Sequence, residues 1–124
     1  MQDSPLLRPA TEWELQRLLT EATKTNTVVE VVGAGTKRDI GRPTAASTVL
    51  TTSSLTGVRL YEPTELVMAA RGGTTLSRIE KELEAQGQML AFEPVDLSPL
   101  VGQEPGHGTI GALFAMNVSG SRRV

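Results

Sequence analysis

Cysteine is absent from this 124-residue chain. That excludes disulfides, thiolate metal sites, iron–sulfur ligation and a cysteine nucleophile within it. Only one His, one Trp and one Tyr are present, so histidine acid–base catalysis rests on His107 alone. No apolar run approaches the ~20 residues of a membrane span, and the N-terminus lacks the basic region and apolar core of a signal peptide. A cytoplasmic location is the expectation. Charge of one sign is also missing: 12 basic and 14 acidic residues are scattered to a net −2, leaving no basic face for nucleic acid or anionic lipid.

What is present is ordinary for a folded domain. Apolar residues make up 39% and charged residues 21%, and the length suits one domain with a core but not two. From Thr11 to about Lys24, Leu15, Leu18, Leu19 and Ala22 recur at helical spacing, and Thr11 with Glu14 forms a capping box. "TVVEVVG" then predicts a buried strand feeding the glycine loop "GAGTKRDIG". "STVLTT", "GVRLYE" and "ELVMAARGG" are three further candidate strands.

Leu76, Ile79 and Leu83 predict one face of a second helix, with Ser77 and Glu80 as its start signal and Gly87 as its stop. "QMLAFE" predicts a strand or extended segment, and "EPVDLSPLVGQEPGHG" a loop. "TIGALFAMNVSG" reads as a short apolar helix or strand. Trp13 reads as a packing residue, His107 as a solvent-facing loop residue, and Arg122 and Arg123 as a solvated terminus. The resulting order is α+β, a small mixed sheet with flanking helices.

Two glycine segments carry the candidate chemistry. Gly106, Gly108 and Gly111 match G-x-G-x-x-G, yet Gln103, Glu104 and Pro105 before them make no buried strand. A nicotinamide-binding fingerprint needs that strand and a ribose-binding acid ~20 residues on, so the match is read as coincidental. "VVGAGTKRDIG" has the strand but Arg38 where the third glycine belongs. Backbone amides of Gly33, Ala34, Gly35 and Thr36 suit phosphate oxygens, with Lys37 or Arg38 as counter-charge. Taken singly, the first loop is equally served by a tight turn and the second by a close backbone crossing.

The ordered set resembles a known family. Helix, strand, the G-x-G-T-K loop, "VLTTSSLTGVRLYEPTELVMAARGGTTLSRIEKELEAQGQMLAFEP" and "GTIGALFAMNVSG" are similar to the N-terminal part of the FAD-binding domain of the vanillyl-alcohol oxidase and p-cresol methylhydroxylase (PCMH-type) family. Within it the likeness is strongest to the FAD-binding subunits of bacterial glycolate oxidases. The resemblance implies that Gly33, Ala34, Gly35, Thr36 and Lys37 form a first pyrophosphate loop closed by Gly41. It implies a second FAD-binding segment at Gly108, Thr109, Ile110 and Gly111, and approach to the cofactor by Asn117, Ser119 and Gly120. Ala112 and Ser121 stand where the family commonly has glycine and proline.

The resemblance further implies oxidation of a 2-hydroxy acid to a 2-oxo acid, with non-covalent FAD, since the first loop has no His and the chain no Cys. The family's domain continues into a second α+β lobe and a substrate cap. Residues 1–124 are thus expected to be a partial PCMH-type FAD-binding domain without a catalytic residue of its own. Partner subunits, one bearing iron–sulfur clusters, are expected, and through them peripheral association with the inner membrane. The alternative is a non-catalytic assembly lobe that binds no cofactor alone and exposes apolar surface around "GALFAMNV".

Overall fold

The stripe that follows Thr11 forms helix α1, Glu12–Lys24, in a computed structural model that describes residues 5–121. Arg122 and Arg123 lie outside the described residues. Thr11 caps α1, its Oγ1 accepting from the Glu14 amide at 3.1 Å. The return half of the capping box is shifted by one residue, because Glu14 accepts from the Ala10 amide at 2.8 Å. No α1 residue is fully buried. Trp13, expected to pack, is instead 68% exposed, with the Arg17 guanidinium 5.6 Å from its ring centroid.

Three strands make a parallel sheet in the order β1-β3-β2: β1 is Leu6–Leu7, β2 Val29–Val32 and β3 Thr48–Thr51. β1 is too short to give a periodic signal. The most β-branched run, expected to be buried, is an edge strand, and Val31 is 61% exposed. β3 is paired on both sides and buries Leu50. Side-chain composition reports how a face can be covered, whereas central position depends on which distant strands pair with it. Because β2 and β3 run parallel, the chain must travel back between them, and the 33–47 connection does so without a helix. The first glycine loop begins that return.

β4, Val58–Glu62, and β5, Val67–Ala70, form a separate antiparallel pair around a 3-10 turn at Pro63–Glu65. The expected small mixed sheet is therefore two sheets. Thr74, fully buried, ties the entry of β4 to the exit of β5, its Oγ1 accepting from the Gly57 amide at 3.0 Å. Gly73 follows the same crossing, donating to the Leu55 carbonyl at 2.9 Å.

Helix α2, Leu76–Glu84, buries Leu76, Ile79 and Leu83 as their spacing predicts. Its N-cap is Thr75, not Ser77, and no side chain caps it. Backbone carbonyls do so instead: Leu76 and Ser77 donate to Gly108 and Gly106 at 2.8 and 3.2 Å. Gly87, at φ +65°, follows its end as expected. Residues 88–93 form no named strand, and Pro94 makes an isolated bridge to Ser119. The loop that follows holds a 3-10 turn at Ser98–Val101, and the last apolar segment is helix α3, Ile110–Met116. Leu50, Leu55, Leu76, Ile79, Leu83 and Leu113, drawn from β3, the 52–57 turn, α2 and α3, are the buried apolar residues of the core.

Candidate FAD-binding site

The first segment leaves β2 at Val32 and turns through Gly35, whose φ of +79° strongly favours glycine. Among the described residues, the backbone amides of Ala34, Gly35, Thr36 and Lys37 have no hydrogen-bond acceptor. Such a run of free amides is a cradle for anionic oxygens. Thr36 is buried, at 5% exposure. Arg38 folds back onto β2, its Nε and Nη2 donating to the two Glu30 carboxylate oxygens at 3.0 and 2.6 Å. This fork raises the Arg38 pKa through hydrogen bonding and charge, and it removes Arg38 as a free counter-charge. Gly41, at φ +91°, is exposed and has open space where a side chain would stand.

The second segment is held by its backbone. Ile110 and Gly111 donate to the Thr74 and Gly72 carbonyls, both at 2.9 Å. A side chain on Gly111 would meet the Gly72 carbonyl oxygen at 2.7 Å, and one on Gly106 the Ser77 Cβ at 2.7 Å. Gly106 and Gly111 of the fingerprint-like match thus serve close backbone crossings, whereas Gly108 faces side chains. Thr109 is buried at 1% exposure and caps α3, its Oγ1 accepting from the Ala112 amide at 3.4 Å. It also packs where a Gly33 side chain would be, which brings the two segments into contact.

Lys37 completes the junction. Its Nζ is shut off from solvent, lacks a hydrogen-bond partner among the described residues and lies 3.3 Å from where a Gly108 side chain would begin. Asp96 stands at the same glycine. Burial pushes the Asp96 carboxyl upward, but the Ser98 hydroxyl, the Gly106 and Ser98 amides and the Lys37 charge together hold it below its ordinary value.

Gly33, Ala34, Gly35, Thr36, Lys37, Gly108, Thr109, Ile110 and Gly111 therefore share one locus. Gly41 stands apart on the exposed return. Asn117, Ser119 and Gly120 lie at the far end of α3, roughly 10 Å along its axis from Thr109 at ~1.5 Å per residue. Asn117 ends α3 in a left-handed conformation, and Gly120 donates to the Glu93 carbonyl at 2.9 Å. His107 is exposed, as expected. Asp96 is a residue that the sequence reading missed. Its signal was Asp96-x-Ser98 within a proline- and glycine-rich loop, the pattern of an Asx turn.

A family model described as an FAD binding domain matches residues 4–124. The chain belongs to this family. Its cofactor is FAD, and its fold is that of PCMH-type FAD-binding domains. The glycolate oxidase subunit GlcE of Escherichia coli strain K12 is 39% identical over 103 residues, which cover 83% of this chain and 27% of that protein. The chain thus spans about a quarter of that relative's length.

Two solved structures of alkyldihydroxyacetonephosphate synthase share the fold. One aligns with a TM-score of 0.67 at 23% identity, over 93% of this chain and 22% of that one. The other aligns at 0.69 and 21% identity, over 89% and 20%. The residues at the junction fit FAD chemically: unpaired amides and a buried ammonium without a partner are what a pyrophosphate satisfies. Among the described residues no helix is long and apolar enough to cross a membrane, and no cluster of ligands suits a metal.

Proposed function

We propose that this chain is the cofactor-binding portion of a flavin-dependent oxidoreductase that oxidises a glycolate-like 2-hydroxy acid to the 2-oxo acid. The observation that carries the reading is the meeting of the two glycine segments around the unpartnered Lys37 ammonium. In it, Gly33 to Lys37 and Gly108 to Gly111 hold the FAD pyrophosphate non-covalently. Gly41 closes the first loop on its return, and Asn117, Ser119 and Gly120 contact a more distant part of the cofactor. The bound flavin supplies the redox chemistry, and the chain's own residues bind and orient it.

The glycolate-type substrate rests on the likeness to GlcE. So does a complex with other subunits; in this reading one of them carries the iron–sulfur clusters that a chain without cysteine cannot ligate, and through them the protein associates peripherally with the inner membrane. Residues 1–124 form a partial domain in this reading, and substrate-binding groups belong to the second lobe and cap. The test is thermal unfolding of residues 1–124 with FAD, FMN or NAD, followed by dye-linked oxidation of glycolate and other 2-hydroxy acids by the intact protein that carries them. A midpoint raised by FAD alone and turnover of 2-hydroxy acids support the reading. A shift with NAD alone rejects it.

One observation favours a second reading, that of a non-catalytic assembly lobe. Phe114 and Met116 on α3 are 69% and 37% exposed, although Phe114 makes an edge-on contact with Phe92. This reading expects a cooperative unfolding transition that no dinucleotide moves.

A further inference from the structure

Asp96 closes the loop that delivers the second glycine segment. Its Oδ1 accepts from the Ser98 amide at 3.0 Å and the Ser98 hydroxyl at 2.6 Å, and its Oδ2 from the Gly106 amide at 2.6 Å. Ser98 is fully buried, so these bonds are sheltered from water. Gly106 and Gly108 in turn cap α2 through their carbonyls. The carboxylate therefore fixes the path of the chain immediately before Gly108.

The same carboxylate faces the first segment. A side chain on Gly108 would lie 3.9 Å from Asp96 Oδ1 and 3.3 Å from Lys37 Nζ, so the two charges flank one bare glycine. Among the described residues the Lys37 ammonium has no direct hydrogen bond, and a buried cation without a neighbouring anion favours leaving the interior. Arg38 is already committed to Glu30 and does not substitute for it. We propose that Asp96 is a positioning residue that holds the Lys37 ammonium and the Gly106–Gly111 segment in one arrangement before FAD binds. The inference rests on the reading in which Lys37 and Gly108 to Gly111 meet the pyrophosphate. In that arrangement the cofactor supplies the direct partner that Lys37 lacks, and the reorganisation otherwise needed for binding is already done.

The test is a double-mutant cycle on the intact protein that carries this chain. FAD dissociation constants are measured by flavin fluorescence for the wild type, Asp96→Asn, Lys37→Met and the double variant, with circular dichroism of each apo form. Each single change is expected to weaken FAD about tenfold, and the double change only about as much as the larger single one. Effects that multiply, or an unchanged constant in a folded Asp96→Asn variant beside a weakened Lys37→Met variant, overturn the proposal. If Asp96→Asn does not fold, Ser98→Ala, which removes one donor to the carboxylate and keeps the charge, replaces it. Ser98→Ala is then expected to weaken FAD about threefold with Lys37 present and not at all in the Lys37→Met background. Equal losses in both backgrounds overturn the proposal. If Gly35→Val and Lys37→Met both leave FAD binding unchanged, the underlying site reading falls as well, whereas loss in those two without coupling to Asp96 removes the proposal alone.

Discussion

Gly35 and Gly111 belong to the two segments that meet at the junction, and they are glycine for different reasons. At Gly35 the nearest atom to an added side chain is the Arg38 Cδ at 3.8 Å, but φ is +79°. At Gly111 φ is not in the left-handed region, but the Gly72 backbone leaves no space. Gly35 is needed for its conformation, and Gly111, like Gly33 beside Thr109, for its packing. A binding loop must keep its amides free, so it makes few contacts. A segment that positions such a loop must be anchored, so it spends its amides on neighbouring carbonyls.

Substitutions that exchange these roles test the contrast. Gly111→Val carries the largest expected effect: overlap with the Gly72 backbone costs about 3 kcal/mol or more, read from the denaturant midpoint, and FAD binding fails together with the fold. Gly35→Val is expected to leave the apo fold intact, at a conformational cost of about 1–2 kcal/mol. Its main effect falls on FAD, whose affinity drops about tenfold or more by fluorescence titration. A Gly35→Val protein that binds FAD normally, or a Gly111→Val protein that folds normally, breaks the comparison.

Acid titration gives a smaller and more selective effect. The folded Asp96 carboxyl lies below its ordinary value of 3.8. Its contribution to stability is complete above the unfolded value and is lost as pH falls from there through the folded one. Denaturant midpoints measured through that acid window should therefore fall more steeply for the wild type than for Asp96→Asn. The smallest effect is expected from Glu30→Gln, which breaks the fork to a half-exposed Arg38 and costs less than about 1 kcal/mol. FAD affinity that falls as far as in Gly35→Val would show that the fork, not the glycine, shapes the first loop.

Much of this was legible in the sequence, and the misses share a cause. The α2 face of Leu76, Ile79 and Leu83 and the Thr11 cap rest on interactions within a few residues, so spacing alone revealed them. Trp13 and "TVVEVVG" were read as covered because apolar residues usually are, yet coverage depends on what packs from elsewhere in the chain. Ser77 looks like the start of α2 in sequence because the real caps, the Gly106 and Gly108 carbonyls, come from a loop about thirty residues away. Asp96 escaped notice for a similar reason: its Asx turn is local, but its place beside Lys37 is not.

The family, the FAD cofactor, helices α1 to α3, strands β2 to β5 and the two glycine segments were all fixed by the amino-acid sequence, whereas β1 and the absence of a strand at 88–93 were not. The former follow from local preference and from an ordered set of short motifs. Long-range packing, and not local sequence, makes β3 central and β2 an edge, commits Arg38 to Glu30, and brings Lys37 and Asp96 to one glycine. Each is a meeting of residues distant in the chain, fixed by which backbones can approach closely enough to pair: Gly33 leaves room for the Thr109 side chain, which joins the two glycine segments, and Gly111 leaves room for the Gly72 backbone.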